Sequence, residues 1–265
     1  MKGHFGRHIR CPRVSVSLMA IALAASVSAV QAASADSDLV ARCRQDYDAT
    51  NWVSALVDCN LALKTDDLST DERAIVLKNR GMSYYYVGNH AAALGDLNEV
   101  IRLKPDYEPA YNNRGIVHEH RGDYDLALKD YAKAIALTPD NGDPYYNRAN
   151  TYQDMGDFRR AAEDYSEAIR RQPGDALTLQ ARAYAYMRLG RFDLAVRDLD
   201  QAIAVRPDDV SALLDRAWAH AALGKVANAA EDCDKAAARD AAARAAIVGQ
   251  VNGQPFSCGS LGTSL

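Results

Sequence analysis

A chain of 265 residues, 48% hydrophobic and 25% charged, is long enough to bury a sizeable core and too apolar for a disordered tract. Its formal charge is −4, from 31 basic and 35 acidic residues, which argues against a nucleic-acid role because that needs a basic surface. Beyond residues 14–30, no apolar run could span a bilayer.

Residues 1–35 differ in character from the rest. Lys2, Arg7, Arg10 and Arg13 give a basic start without an acidic residue, and an apolar run follows from Val14 to Val30. Two small-residue cleavage sites then end at Ala32 and Ala35. This is the layout of a secretory signal peptide, and we expect it to be cleaved after Ala32 or Ala35. The competing reading is an uncleaved membrane anchor. Four serines and a short length count against a span. Cleavage would remove four basic residues and no acidic one, leaving a net charge of −8.

From Ala74 the chain repeats itself. Gly88, Gly122, Gly156, Gly190 and Gly224 lie 34 residues apart. Each copy, numbered 1 to 34, runs 74–107, 108–141, 142–175, 176–209 and 210–243. Position 8 is always small (Gly81, Gly115, Ala149, Ala183, Ala217), and position 20 is always alanine (Ala93, Ala127, Ala161, Ala195, Ala229). Small residues at these spacings let two helices approach closely, with larger neighbours filling the gaps. The glycine at position 15 suits the left-handed backbone that commonly closes a helix. A proline at position 32 stops the second helix in four copies: Pro105, Pro139, Pro173 and Pro207. Each unit therefore reads helix, tight turn, helix, break. A period of this length marks a stacked helical array, and such arrays usually bind rather than catalyse.

The stretch 36–73 aligns as a degenerate first unit. Trp52 falls at position 17, Ala55 at position 20 and Ala62 at position 27, with about four extra residues near Thr65–Thr70. At the other end, alanine-rich Asp240–Gln250 predicts a capping helix. The Gly, Ser and Pro residues after Asn252 predict a loose tail unless it is tethered.

Four cysteines remain after the leader: Cys43, Cys59, Cys233 and Cys258. An even number in an exported chain suggests bridges. Cys43 and Cys59 take positions 8 and 24, at one height on facing helices of a hairpin, so we expect them to pair. Cys233 would then pair with Cys258 and pin the tail. The alternative is four buried free thiols.

Position 7 is arginine in every full copy (Arg80, Arg114, Arg148, Arg182, Arg216). Position 23 is aspartate in every copy (Asp96, Asp130, Asp164, Asp198, Asp232), with Asp58 in the degenerate unit. These positions also match in height, so the expectation is structural pairing rather than an anion-binding row.

The segment Tyr111 to Pro139, YNNRGIVHEHRGDYDLALKDYAKAIALTP, resembles a tetratricopeptide repeat almost letter for letter. The resemblance covers 74–243, and 36–73 more weakly. It implies an all-α fold: a right-handed α-solenoid of stacked helix-turn-helix units that holds peptide segments of partners in a concave groove. The groove lining it implies is Lys78, Asn79, Tyr85, Asn112, Asn113, Tyr146, Asn147, Asn150, Gln180, Tyr184 and Trp218. Amides can grip an extended backbone because they both donate and accept. Tyr and Trp are favoured interface anchors. One sub-type clamps a terminal carboxylate. Lys78 and Asn113 fit it, but Met82, Asp143 and Asn147 stand where asparagine and basic residues are required, so the clamp does not carry over.

No nucleophile elbow, phosphate loop, dinucleotide fingerprint or zinc-protease motif occurs. His118-Glu119-His120 is the sole metal-like cluster, and residues two apart on a helix face differently. The reading is a non-enzymatic periplasmic or secreted scaffold that binds another protein and needs no cofactor, metal or nucleic acid. It has no membrane span once the leader is removed. The alternatives are an accessory subunit regulating an envelope protease or cell-wall hydrolase, and a self-associating structural repeat protein, a homo-oligomer.

Overall fold

The structure, a computed structural model, describes residues 39–65, 68–245, 247–251 and 253–260. The expected leader lies outside this range. Twelve α-helices among the described residues pair into six antiparallel hairpins and fall into two compact units, divided between Leu137 and Thr138.

The first unit holds three hairpins. These are α1 (Leu39–Asp48) with α2 (Trp52–Ala62), α3 (Thr70–Tyr86) with α4 (His90–Leu103), and α5 (Glu108–His120) with α6 (Tyr124–Leu137). The degenerate segment is therefore a complete hairpin. Its turn carries Thr50 at repeat position 15 with φ of 60°, where the later copies place glycine. A β-branched residue is strained in that region. Helix α3 starts four residues ahead of its repeat, because Ser69 and Glu72 form a reciprocal capping box.

The second unit holds α7 (Asp143–Asp154) with α8 (Phe158–Arg171), α9 (Ala176–Arg188) with α10 (Phe192–Val205), and α11 (Val210–Ala222) with α12 (Val226–Arg239). The turn glycines behave as the spacing requires; Gly156, for example, has φ of 81°. Each position-32 proline lies two residues beyond a helix end, as Pro173 does after Arg171. The small residues at position 8 earn their place by contact. A Cβ at Gly115 would lie 2.6 Å from the Tyr131 ring, which is fully buried.

The chain end departs from the expected capping helix over Asp240–Gln250. A 3-10 turn (Ala241–Ala245) is followed by β1 (Ile247–Val251) and β2 (Gln254–Ser257), an antiparallel hairpin with an irregularity between Ile247 and Gly249. The alanines could continue a helix, but Ile247, Val248 and Val251 favour extended backbone and Gly249 weakens a helix interior. Gly253, with φ of 78°, makes the turn between the strands. Val251, Phe256 and Cys258 sink into the core built by α9 to α12.

Both expected disulfides are present. Cys43 and Cys59 join α1 to α2 with Cα atoms 4.8 Å apart, and Cys233 and Cys258 join α12 to the tail with Cα atoms 5.4 Å apart. The tail is thus tethered.

Candidate partner-binding face

The first helix of each hairpin carries the residues expected to meet a partner. What fixes these helices is the arginine–aspartate ladder. Arg80 grips Asp96 through Nε and Nη2 at 2.7 and 2.6 Å, and Arg114, Arg148, Arg182 and Arg216 grip Asp130, Asp164, Asp198 and Asp232 in the same forked way. Every pair closes within one hairpin, between its first and second helices. The aspartates are buried and hydrogen-bond the guanidinium, which holds Arg148 above its ordinary pKa against the opposing effect of burial. Arg42 reaches Asp58 through Nη2 at 2.7 Å, a single bond in place of the fork. Arg42 occupies position 7 of the degenerate unit, a match that the alignment contained. The guanidinium also reaches the preceding hairpin: Arg80 Nη1 donates to Asn60 and Arg216 Nη1 to Asp200. The ladder is spent on packing and leaves no anion-binding row.

In the first unit the face is an aromatic cluster assembled from three hairpins. Trp52 stacks on Tyr86 with centroids 4.0 Å apart, and Tyr47 meets Trp52 edge-on at 5.6 Å. Tyr85 packs edge-on against Tyr86, and its hydroxyl pairs with His120 Nε2 at 2.8 Å, tying α3 to α5. Lys78 lies with its ammonium 4.9 Å from the Tyr47 ring centre. Burial lowers the Lys78 pKa, and burial together with Tyr86 and Asp48 pushes Tyr47 up to about 12. Tyr47 stands at repeat position 12 of the degenerate hairpin, the position of Tyr85, so the spacing held a signal for it; Trp52 begins a second helix, outside the first-helix positions, and spacing did not reveal it. Asn79 is almost wholly buried and its Oδ1 has no hydrogen-bond partner. Asn112 and Asn113 are half-buried on α5.

In the second unit several of the expected residues brace their neighbours. Asn150 Oδ1 accepts from the Tyr165 hydroxyl at 2.6 Å. Gln180 donates to Asp215 at 3.2 Å, joining α9 to α11. Tyr184 accepts from Arg188 and meets Phe158 edge-on. Tyr146 and Asn147 are half-buried on α7.

Trp218, expected to meet a partner, is instead covered by the chain's own tail. Its indole Nε1 donates to the Gln250 carbonyl at 3.0 Å. Gly249 lies flat on the ring, where a Cβ would come within 2.0 Å of it. The face of the last first-helix is thus occupied by a strand of polypeptide.

The histidine cluster separates as expected for residues two apart. Glu119 turns inward to accept from the Tyr131 hydroxyl at 2.8 Å, His120 meets Tyr85, and His118 lies 3.7 Å from Asp123.

These features define a scaffold of helical hairpins whose first helices present amides and aromatics. The chain belongs to the tetratricopeptide repeat family: family models described as tetratricopeptide repeat match residues 106–172 and 180–246. Comparison with curated protein sequences gives no significant match. Among solved structures, one described as YrrB, a TPR protein with an unusual peptide-binding site, is 20% identical with a TM-score of 0.56, covering 63% of this chain and 87% of its own. MamA from Desulfovibrio magneticus is 17% identical with a TM-score of 0.60, over 66% of this chain and 98% of its own. PilF from Pseudomonas aeruginosa is 17% identical with a TM-score of 0.59, over 64% and 78%. At these identities the likeness is one of fold. The fold is that of a protein–protein interaction scaffold, and proteins of this family are generally non-catalytic.

Proposed function

We propose that the protein is a non-catalytic scaffold that captures an extended segment of another protein along the first-helix faces. One observation carries this reading: Trp218, on such a face, already holds a strand, giving its indole hydrogen to a backbone carbonyl while glycine lies against the ring. The same chemistry is offered by the Tyr85–Tyr86 cluster and Asn113 in the first unit, and by Tyr146 and Asn147 in the second. The two disulfides suit an oxidising compartment, and with the basic and apolar leader they favour a periplasmic or secreted location. Among the described residues, no helix is long and apolar enough to cross a membrane.

The test selects binders for the purified protein from a random peptide display library and measures the best one by calorimetry. Asn113→Ala, for a peptide held by the first unit, or Tyr146→Ala, for one held by the second, should weaken binding about tenfold, the scale of one interface anchor, while Glu163→Ala on a second-helix outer face should not. Equal affinity for all four proteins would remove the first-helix faces as the binding site.

A further inference from the structure

Helix α2 has an outer face unlike that of any other second helix. Val53, Val57 and Leu61 are 69%, 55% and 41% exposed. They stand at repeat positions 18, 22 and 26. The same positions in the later hairpins hold Glu99 in α4; Asp125, Lys129 and Lys133 in α6; and Arg159, Glu163 and Glu167 in α8. In α10 and α12 they include Asp193 and Arg197, then Glu231 and Lys235. The array is thus its own control: five copies keep charge outward here and one keeps only aliphatics. The sole charged residue of α2, Asp58, is buried against Arg42.

We propose that this stripe is a self-association surface and that its occupant is α2 of a second copy. Three features select that occupant. Residues i, i+4 and i+8 form one ridge, and two identical ridges pack into each other's grooves at a crossing of about −50°. A two-fold interface sets a surface against itself, so a charge at its centre would meet its like; α2 carries uncharged Val57 at the central position 22, where α6, α8, α10 and α12 carry Lys129, Glu163, Arg197 and Glu231. The Cys43–Cys59 bond fixes α2 to α1, so little ordering is lost on pairing. A membrane surface is disfavoured because α2 carries no cation to meet anionic headgroups. The stripe is small beside a standard interface of roughly 1,600 Å², so the dimer is weak and reversible, with a Kd on the order of micromolar. This inference is independent of the first-helix faces.

The test is sedimentation equilibrium of the purified protein from about 1 to 200 µM, a range that brackets a micromolar Kd. The native chain should pass from monomer to dimer. Val57→Glu and Val57→Lys should each weaken pairing by roughly 100-fold or more, because each buries an unpaired charge against its copy. Mixing the two variants should restore a heterodimer, since glutamate then faces lysine. Unchanged melting of each variant alone shows that the exposed site was altered without unfolding. A native chain that is monomeric throughout overturns the proposal, including one in which retained residues 14–30 cover the stripe. A dimer indifferent to Val57→Glu also overturns it, as does failure of the mixture to pair.

Discussion

Replacing Arg148 by leucine tests whether the arginine–aspartate ladder is structural. In the native chain, Nε and Nη2 of Arg148 donate to the two carboxylate oxygens of Asp164 at 2.7 and 2.8 Å. The side chains are 21% and 10% exposed, so the pair is neither open to water nor fully dry. Orphaning one member of a buried pair costs roughly 3–5 kcal/mol. Discounting for residual exposure, we expect about 2–3 kcal/mol for Arg148→Leu. At 2–4 °C per kcal/mol for a chain of this size, the midpoint should fall by roughly 5–10 °C. The loss is caused by the stranded carboxylate, so Arg148→Leu with Asp164→Leu should recover most of it. Calorimetry and urea unfolding of the two single variants and the double variant measure that coupling. A repeat array can lose two-state cooperativity, so both transitions are compared directly rather than extrapolated. If the double variant loses the sum of the singles, or Arg148→Leu is harmless, the ladder does not brace the fold.

Four further outcomes are expected. Thr50→Gly should stabilise the first hairpin by about 0.5–1 kcal/mol by relieving its left-handed strain; a loss in hydrogen-exchange protection of α1 and α2 would contradict this. Gly249→Ala should drive the tail off Trp218, seen as a red shift in tryptophan emission; unshifted emission would mean that the strand slides instead. Cys258→Ser should lower the protection of β1 and β2, because a closed loop of this size contributes roughly 3 kcal/mol. Burial lowers the His220 pKa, with Asp232 opposing and Arg216 and Lys225 reinforcing the shift, and its buried Nδ1 has no partner. The unfolded chain then binds the proton more readily, so this contribution is whole above the ordinary value of 6.5 and is lost as pH falls through the window below it. Thermal melts at stepped pH should show that slope, and His220→Gln should flatten it.

The fold was legible because each hairpin writes its own boundaries. Gly156 closes one helix and Pro173 follows the next, and both signals act within a few residues of where they sit. The Cys43–Cys59 disulfide was legible for the same reason, since positions 8 and 24 face each other in any such hairpin, and Cys233–Cys258 followed as the remaining pair. The strands at 247–257 were not. Asp240–Gln250 is rich in alanine, and what decides its conformation is Phe256 and Val251 entering the core of α9 to α12, a choice made at long range. The partner-binding face was legible in part. Spacing placed Tyr85 and Asn113 on first helices, but it could not show that Trp218 was already covered. Nor could it show that Trp52, from a second helix, would join Tyr85 and Tyr86, although Tyr47 at position 12 matched Tyr85 in register.

Each forked ion pair begins and ends inside a single 34-residue copy. Excising residues 176–209, or inserting a duplicate, therefore removes or adds Arg182 and Asp198 together and strands neither charge. Array length can drift through gene duplication at small electrostatic penalty, whereas the two cysteine-locked ends, each made once, cannot be multiplied in that way.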